Sequence, residues 1–338
     1  MLDKQNDSKM KELLSRLFDH QTLPKGKAFE VLRKIGEGEV NHSQIAAFLT
    51  VFQLRSITVE ELTGFRDALL QLCNAVDLSE FDPIDLCGTG GDGKDTFNIS
   101  TLASFVTAGA GVNVAKHGNY GVSSACGSSN VMEHLGYTFT NDHDTLKRQL
   151  ENAGICFLHA PLFHPAMRHV GPVRRELGVK TFFNMLGPMV NPSKPKKQMV
   201  GVFSLELARL YNYMYQLDDK EYVILHALDG YDEISLTGPS KVISRSGENI
   251  IEPHELGLEK LKAKDIHGGT TVPEAAEIFM SVLNNKCTDA QRKVVCANAG
   301  VAIACARSEM AYREGVAMAA ESLESGRALN SFQKLIAS

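Results

Sequence analysis

The chain of 338 residues lacks a basic excess: its formal net charge is −5. A surface built to hold nucleic acid normally carries the opposite sign. Paired cysteines are lacking too. Seven cysteines, at positions 73, 87, 126, 156, 287, 296 and 305, form no C-x-x-C. An odd, scattered set fits reduced thiols and fits neither a zinc site nor a disulfide framework. No apolar run approaches a membrane span, and the Lys- and Asp-rich start has no apolar signal core. A soluble, cytoplasmic protein is expected. Repeats and low-complexity segments are also missing. What is present is ordinary for a globular chain, with 43% hydrophobic and 22% charged residues. The length suffices for two domains, or for one large domain with an appendage.

Residues 1–75 read as helices only. Leu13, Leu14, Leu17 and Phe18, then Ala28, Val31, Leu32 and Ile35, recur at helical spacing. Asn41 is placed to cap a following helix, and Thr58 with Glu61 three residues on spells a capping box. From Asp82-Pro83 onward strands alternate with helices. Strands are expected at 84–87, 112–115, 155–159, 200–203 and 222–226. Helices are expected at 99–110, 128–135, 146–152 and 205–216. Such alternation implies a mostly parallel sheet with helical crossovers. Prolines 165, 172, 188, 192 and 195 interrupt it, so 165–195 reads as an excursion back to the helical part. The last part is helical and alanine-rich, over 274–283, 290–306, 309–323 and a short tail. The expected organisation is therefore a helical domain over 1–75, with the excursion, and an α/β domain over 80–338.

The chemistry begins where the first strand ends. Gly88-Thr89-Gly90-Gly91-Asp92-Gly93-Lys94-Asp95 places four glycines within six residues. Glycines admit positive φ and let backbone N–H groups approach an anion. Asn98, Ser100 and Thr101 follow where helix caps are expected, at the positive end of a helix dipole. Strand, loop and helix start in this order suit a phosphate. Two familiar motifs nearly match and both fail. G-x-G-x-x-G is satisfied, but the helix begins late and the next strand ends in Lys116-His117 where an acid is wanted. Lys94 is followed by Asp95, so the hydroxyl of a P-loop is missing. A bare glycine turn with no ligand is the bland alternative.

Lys116-His117-Gly118-Asn119 ends the second expected strand, at the sheet edge where the glycine loop ends the first. Ligands of open α/β sheets bind beyond the carboxyl ends of strands. Lys116 offers a point charge to phosphate, although a lone Lys there is more often solvated. Cys126-Gly127-Ser128-Ser129-Asn130 makes a second helix start with hydroxyls, hence a second place for a phosphate. Asp232-Glu233 follows a strand and Gly230. Adjacent acids can hold Mg²⁺ shared with substrate phosphates, while an acidic turn is the commoner meaning of such a pair. Arg174-Arg175 can fork onto a carboxylate or simply line an exposed helix face. His159, His164 and His169 are spaced by five with Pro165 between, which favours packing or capping over a metal.

Read in order, Gly88-Thr89-Gly90-Gly91-Asp92, Asn98-x-Ser100-Thr101, Lys116-His117-Gly118-Asn119, Val173-Arg174-x-x-Leu177-Gly178, Asn184-x-Leu186-Gly187-Pro188-x-x-Asn191-Pro192 and Asp232-Glu233 form one series. The series closely resembles the anthranilate phosphoribosyltransferase family over nearly the whole chain. The resemblance implies a nucleoside phosphorylase/phosphoribosyltransferase-like fold, a small N-terminal helical domain mediating a homodimer, and a larger α/β domain with a mostly parallel central sheet. It implies phosphoribosyl diphosphate contacts at Gly88, Gly91, Asp92, Thr96, Asn98, Ile99, Ser100 and Thr101. The same site would extend over Lys116, His117, Gly118, Asn119, Tyr120, Gly121, Val122, Ser123, Ser124 and Ser128. Ser100, Asp232 and Glu233 would hold Mg²⁺. Asn119, Arg174 and the Gly88 backbone would receive anthranilate, with positioning and charge in place of an acid or base. Two departures stand out. Tyr120-Gly121 replaces the Arg-Ala of many members, and Ala125-Cys126 replaces Lys-Ser, so the loop has two fewer positive groups.

Two alternatives share part of this pattern. A pyrimidine nucleoside phosphorylase shares the architecture and also breaks a ribosyl C1 bond. It needs an inorganic phosphate site and a base-reading pocket, whereas Asp232-Glu233 and Arg174 favour a diphosphate and a carboxylate. A non-catalytic nucleic-acid binder on the same fold should show a basic groove, which the net charge disfavours.

Overall fold

A computed structural model describes residues 2–121 and 126–338. In chain order the elements are α1 (Leu2–Phe18), α2 (Lys25–Gly36), α3 (His42–Leu54), α4 (Val59–Leu72), β1 (Ile84–Gly88), α5 (Ile99–Gly109), β2 (Val114–Gly118), α6 (Ser128–His134), α7 (His143–Ala153) and β3 (Ile155–His159). They continue with α8 (Ala160–Phe163), α9 (Met167–Leu177), α10 (Phe183–Leu186), β4 (Lys197–Gly201), α11 (Leu205–Gln216), β5 (Glu221–Ala227), β6 (Ser240–Ser244) and β7 (Gly247–Ile251). The chain ends with α12 (Val272–Leu283), α13 (Asp289–Ala306), α14 (Tyr312–Glu324) and α15 (Arg327–Ile336). It forms two compact units, one of residues 1–75 with 161–192, the other of 76–160 with 193–338.

The first unit is all helix. Asn41 and Thr58 both cap as their positions require: Asn41 Oδ1 accepts from Gln44 N at 3.0 Å, and Thr58 with Glu61 closes a capping box. Glu61 is fully buried, and its carboxylate is satisfied by Leu23 N at 2.9 Å and by both Arg55 amino groups at 2.6 and 2.9 Å. A buried charge is tolerable only when paired in this way. The apolar centre is aromatic. Phe65 stacks on Phe182 at 4.6 Å, and Phe48 and Phe52 meet both edge-on. Each such pair adds to simple burial by about 0.5–1.5 kcal/mol.

The second unit is a seven-stranded sheet ordered β3-β2-β1-β4-β5-β6-β7, parallel from β3 through β5 and antiparallel across β5-β6-β7. This is the mostly parallel sheet that the alternation implies. β1 and β2 are buried over their first four residues and the edge strand β3 over all five, as parallel strands covered by helices must be. Small residues let the covering helices approach: a Cβ on Gly300 of α13 would stand 2.5 Å from the backbone nitrogen of Val316 in α14. α5 and α13 run almost entirely through the core. Among the described residues no helix is long and apolar enough to cross a membrane.

Three expectations need correction. The second strand runs Val114–Gly118, so Lys116 and His117 lie within it. Both are polar and look like strand-end residues, but buried partners admit them. The strand expected at 200–203 is Lys197–Gly201 for the same reason, with Gln198 hydrogen-bonded inside. The hairpin β6–β7 was not anticipated at all. Its outer strand, Gly247–Ile251, is exposed over four of five residues and carries little apolar signal.

Candidate active site

The carboxyl ends of β1 and β5 lie two strands apart, with β4 between them. The loop after β1 turns at Gly90 and Gly91, with φ of +64° and +80°, a conformation L side chains rarely adopt. The loop after β5 carries Asp232 and Glu233. These loops clasp each other reciprocally. Gly90 N donates to Asp232 Oδ2 at 2.8 Å, and Asp232 N donates to Asp92 Oδ2 at 3.4 Å. Asp92 also accepts from Lys94 N at 2.9 Å, which tightens its own turn. The glycine loop and the acid pair, some 140 residues apart, therefore form one place.

Lys116 and Ser100 join them from below. Lys116 is 2% exposed, and its ammonium donates to the Leu86 carbonyl at 2.6 Å. It is not an open charge at a strand end. Burial pulls its pKa down, and the charges of Asp85, Cys87 and Glu233 pull it back up. The Ser100 hydroxyl favours the ionised form of Glu233. Asp85, fully buried in β1, accepts from His117 N at 3.1 Å and from Gln198 Nε2 at 3.2 Å. A charged residue inside an apolar strand was the available signal for this support.

Burial, followed by the charge of Asp92, pushes Asp232 well above the usual carboxylate range. Burial and the charge of Asp232 do the same for Glu233, against the pull of Lys116. Two desolvated acids, with Asp92 beside them, feel the charge of Lys116, and the Lys94 ammonium lies over the neighbouring Tyr231 ring at 4.7 Å. An oxygen-seeking cation fits that donor set: two carboxylates and a hydroxyl. Among the described residues no three His, Cys, Asp or Glu side chains converge as a ready cage. Mg²⁺ commonly needs none, being held by one or two carboxylates with substrate phosphates and water. The Thr89 hydroxyl, buried and without a partner among the described residues, is a further oxygen in the loop.

The remaining residues divide. Asn98 occupies the cap position of α5 but does not cap it; its Nδ2 donates to the Cys126 carbonyl at 3.3 Å. Ser100 and Thr101 lie inside the first turn, Thr101 and Ile99 buried. Thr96 forms a β-bridge with His267. Gly118 is seated so closely that a Cβ would stand 2.7 Å from Ser128 Oγ. The expected second phosphate place is largely taken up by its neighbours. Ser128 Oγ donates to Asn119 O at 3.3 Å, and Asn130 Oδ1 accepts from Gly121 N and Gly127 N, each at 3.0 Å. Tyr120 donates its hydroxyl to Glu133 at 3.3 Å. Val122, Ser123 and Ser124 lie outside the described residues. His159 belongs to one unit, His164 and His169 to the other; His169 sits against Gly38, and His159 packs on Phe139.

Arg174 lies in α9, in the helical unit. Its guanidinium lies over the Phe183 ring at 5.3 Å and donates to Asn184 Oδ1 at 3.2 Å. Burial alone lowers its pKa, and Arg175 beside it is exposed.

One supporting residue escaped the sequence reading. Asn298, fully buried in α13, accepts from Ile234 N at 3.0 Å and donates Nδ2 to Ile234 O and Val294 O, each at 2.9 Å. It thereby pins the backbone next to Glu233. A lone Asn between alanines of an apolar helix was the clue. Asn298→Ala leaves a buried N–H and C=O unpaired, and should cost about 1–3 kcal/mol in urea unfolding. An unchanged midpoint would show that the loop does not depend on this clamp.

The helical bundle, the parallel sheet and the acid-facing glycine loop together define a glycosyl transferase. The family model "Glycosyl transferase family, a/b domain" matches residues 80–329, and the corresponding "helical bundle domain" matches 11–73. An anthranilate phosphoribosyltransferase of Christiangramia forsetii is 63% identical over 326 residues, 96% of this chain and 98% of that one. One from Bacteroides thetaiotaomicron is 52% identical over 97% and 98% of the two chains. The solved anthranilate phosphoribosyltransferase of Thermus thermophilus superposes with a TM-score of 0.90 at 34% identity, over 96% of this chain and 98% of that one. The Saccharomyces cerevisiae protein in complex with PRPP and Mg gives 0.90 at 28% identity, over 98% and 97%. The chain belongs to the anthranilate phosphoribosyltransferase family.

Proposed function

We infer that this chain transfers the phosphoribosyl group of 5-phosphoribosyl 1-diphosphate to the amine of anthranilate. The products are N-(5-phosphoribosyl)anthranilate and diphosphate, a step of tryptophan biosynthesis. The observation that carries the reading is the clasp between the 88–92 loop and Asp232, beside Glu233, Ser100 and Lys116. It sits at the strand ends where α/β folds bind ligands.

As the ribose C1–O bond breaks, negative charge gathers on the departing diphosphate. The loop N–H groups, with the start of α5, lower the energy of that charge where it develops. Lys116, buried with its ammonium on the Leu86 carbonyl, adds positive charge to the site. Asp232, Glu233 and Ser100 would hold Mg²⁺, which would neutralise part of the charge on the departing diphosphate. Thr96, Asn98, Ile99, Thr101, residues 116–124 and Ser128 complete the donor site in this reading. Asn119 and the Gly88 backbone receive anthranilate, and Arg174 supplies a guanidinium matched to its carboxylate. The aromatic amine is already neutral near pH 7, so positioning carries much of the rate. No catalytic acid or base is assigned.

Homodimer formation through the helical unit and a cytoplasmic location complete the proposal. Phe18 and Leu54, 58% and 76% exposed on that unit, support a protein partner there. The net charge of −5 argues against a nucleic-acid partner.

Anthranilate fluorescence tests the reading. Emission should fall only when the phosphoribosyl donor and Mg²⁺ are both present; release of free base from a pyrimidine nucleoside by inorganic phosphate, with anthranilate emission unmoved, would favour a phosphorylase instead. Arg174→Ala should raise the anthranilate KM at least about tenfold, the cost of a charge-assisted hydrogen bond, with the donor KM much less affected. The reverse pattern would reassign Arg174 to the donor.

A further inference from the structure

Asn119 is fastened at both ends. Its carbonyl accepts from Ser129 N at 3.1 Å, and its Oδ1 accepts from Tyr120 N at 2.8 Å. One side chain touches both of the residues that do this. His159, at the end of β3 and 5% exposed, has Nδ1 2.9 Å from Ser129 Oγ, and its ring takes the edge of Tyr120 at a centroid distance of 4.9 Å. Phe139 stacks on the same ring at 4.2 Å and 18°. Tyr120 is anchored at its far end by Glu133.

We propose that His159 is a positioning residue for Asn119, acting through Ser129 and the Tyr120 ring, and so sets how anthranilate is received. The proposal rests on the reading that Asn119 contacts anthranilate. Packing alone does not explain a histidine here. The ring contacts two aromatics, in a place a phenylalanine would fill at least as well. What histidine adds is a nitrogen within hydrogen-bond distance of Ser129. Burial favours the neutral ring, with Glu133 pulling the other way, and a neutral imidazole keeps an acceptor nitrogen for a serine hydroxyl. Ser129 then has one orientation, and its N–H keeps the Asn119 carbonyl in place. Gly118 next to Asn119 has no room to adjust, since a Cβ there would already crowd Phe157 and Ser128.

The test uses the full chain with His159→Phe, His159→Asn, Ser129→Ala and the Phe/Ala double variant. His159→Phe and Ser129→Ala should each raise the anthranilate KM about fivefold, the effect of one hydrogen bond, with the donor KM within about twofold. The double variant should be no worse than either single one, because both remove the same link. His159→Asn, whose amide can still meet the serine hydroxyl, should recover most of the loss. Amide exchange at Tyr120 and Ser129, followed without substrate, should quicken about fivefold in both single variants. Unmoved exchange, equal rises in both KM values, or additive effects would each overturn the proposal. If His159→Phe does not fold, Ser129→Ala decides the same question. Faster exchange in a chain that never consumes anthranilate would support the link and sink the functional reading separately.

Discussion

Glu233→Gln is expected to lower kcat/KM for phosphoribosyl transfer on the order of 10²–10³-fold, the scale of losing one preorganised charge-stabilising group, while the chain stays folded. Glu233 is 9% exposed and feels the charges of Asp232 and Lys116 and the Ser100 hydroxyl. In the free protein its charge is a burden, because burial and Asp232 both resist ionisation. The amide keeps the shape and removes that burden, so thermal stability without divalent cation should rise slightly as activity collapses. This opposition is expected where a charge is retained for chemistry against its own desolvation. The Mg²⁺ concentration for half-maximal rate should rise in the same variant. If activity falls with the Mg²⁺ dependence unmoved, Glu233 is not a metal ligand and acts only on Lys116. Asp232→Asn should behave similarly, with an added loss because Gly90 N donates to Asp232 Oδ2.

Much of this site could be read before any coordinates. Glycines 88, 90 and 91 announce an unusual backbone, and Asp232-Glu233 after a strand announces a carboxylate pair. Both signals are local, so sequence carries them. Lys116 was identified but mis-set: an ammonium inside an interior strand looks improbable until Leu86 O, Asp85 and Glu233 appear around it. Asn298 and Asp85 were hidden differently. Each is held by contacts with residues 32 to 113 positions away, and no local pattern reports a partner that distant. The β6–β7 hairpin fell below notice because its outer strand faces water and carries no apolar alternation. The periodicity of a buried helix such as α13 is equally weak, yet its length and alanine content made it plain.

Gly201→Ala should destabilise the chain by about 3 kcal/mol, the upper range for overpacking, and lower kcat/KM about 10²-fold or more. Gly201 ends β4 and pairs in register with Gly88 at the end of β1. The two glycines form the seat of Asp232. A Cβ on Gly201 would run into the Asp232 backbone carbonyl, whereas one on Gly88 would stand 2.7 Å from its Oδ2. The distinction decides the severity. A carboxylate can rotate aside at modest cost, but a peptide group must take its loop along. That loop is fixed at Ile234 by Asn298 and at Gly90 by the reciprocal clasp, so it cannot yield freely. Gly201 is itself held, since its carbonyl accepts from Thr89 N at 2.9 Å. Gly88→Ala should therefore cost only about 1 kcal/mol, yet still reduce activity by turning Asp232 away from Gly90. Urea midpoints and initial rates on both variants separate the two effects. Wild-type activity in Gly201→Ala would mean that Asp232 does not depend on this seat, and the assignment of the acid pair to the metal would lose its geometric basis.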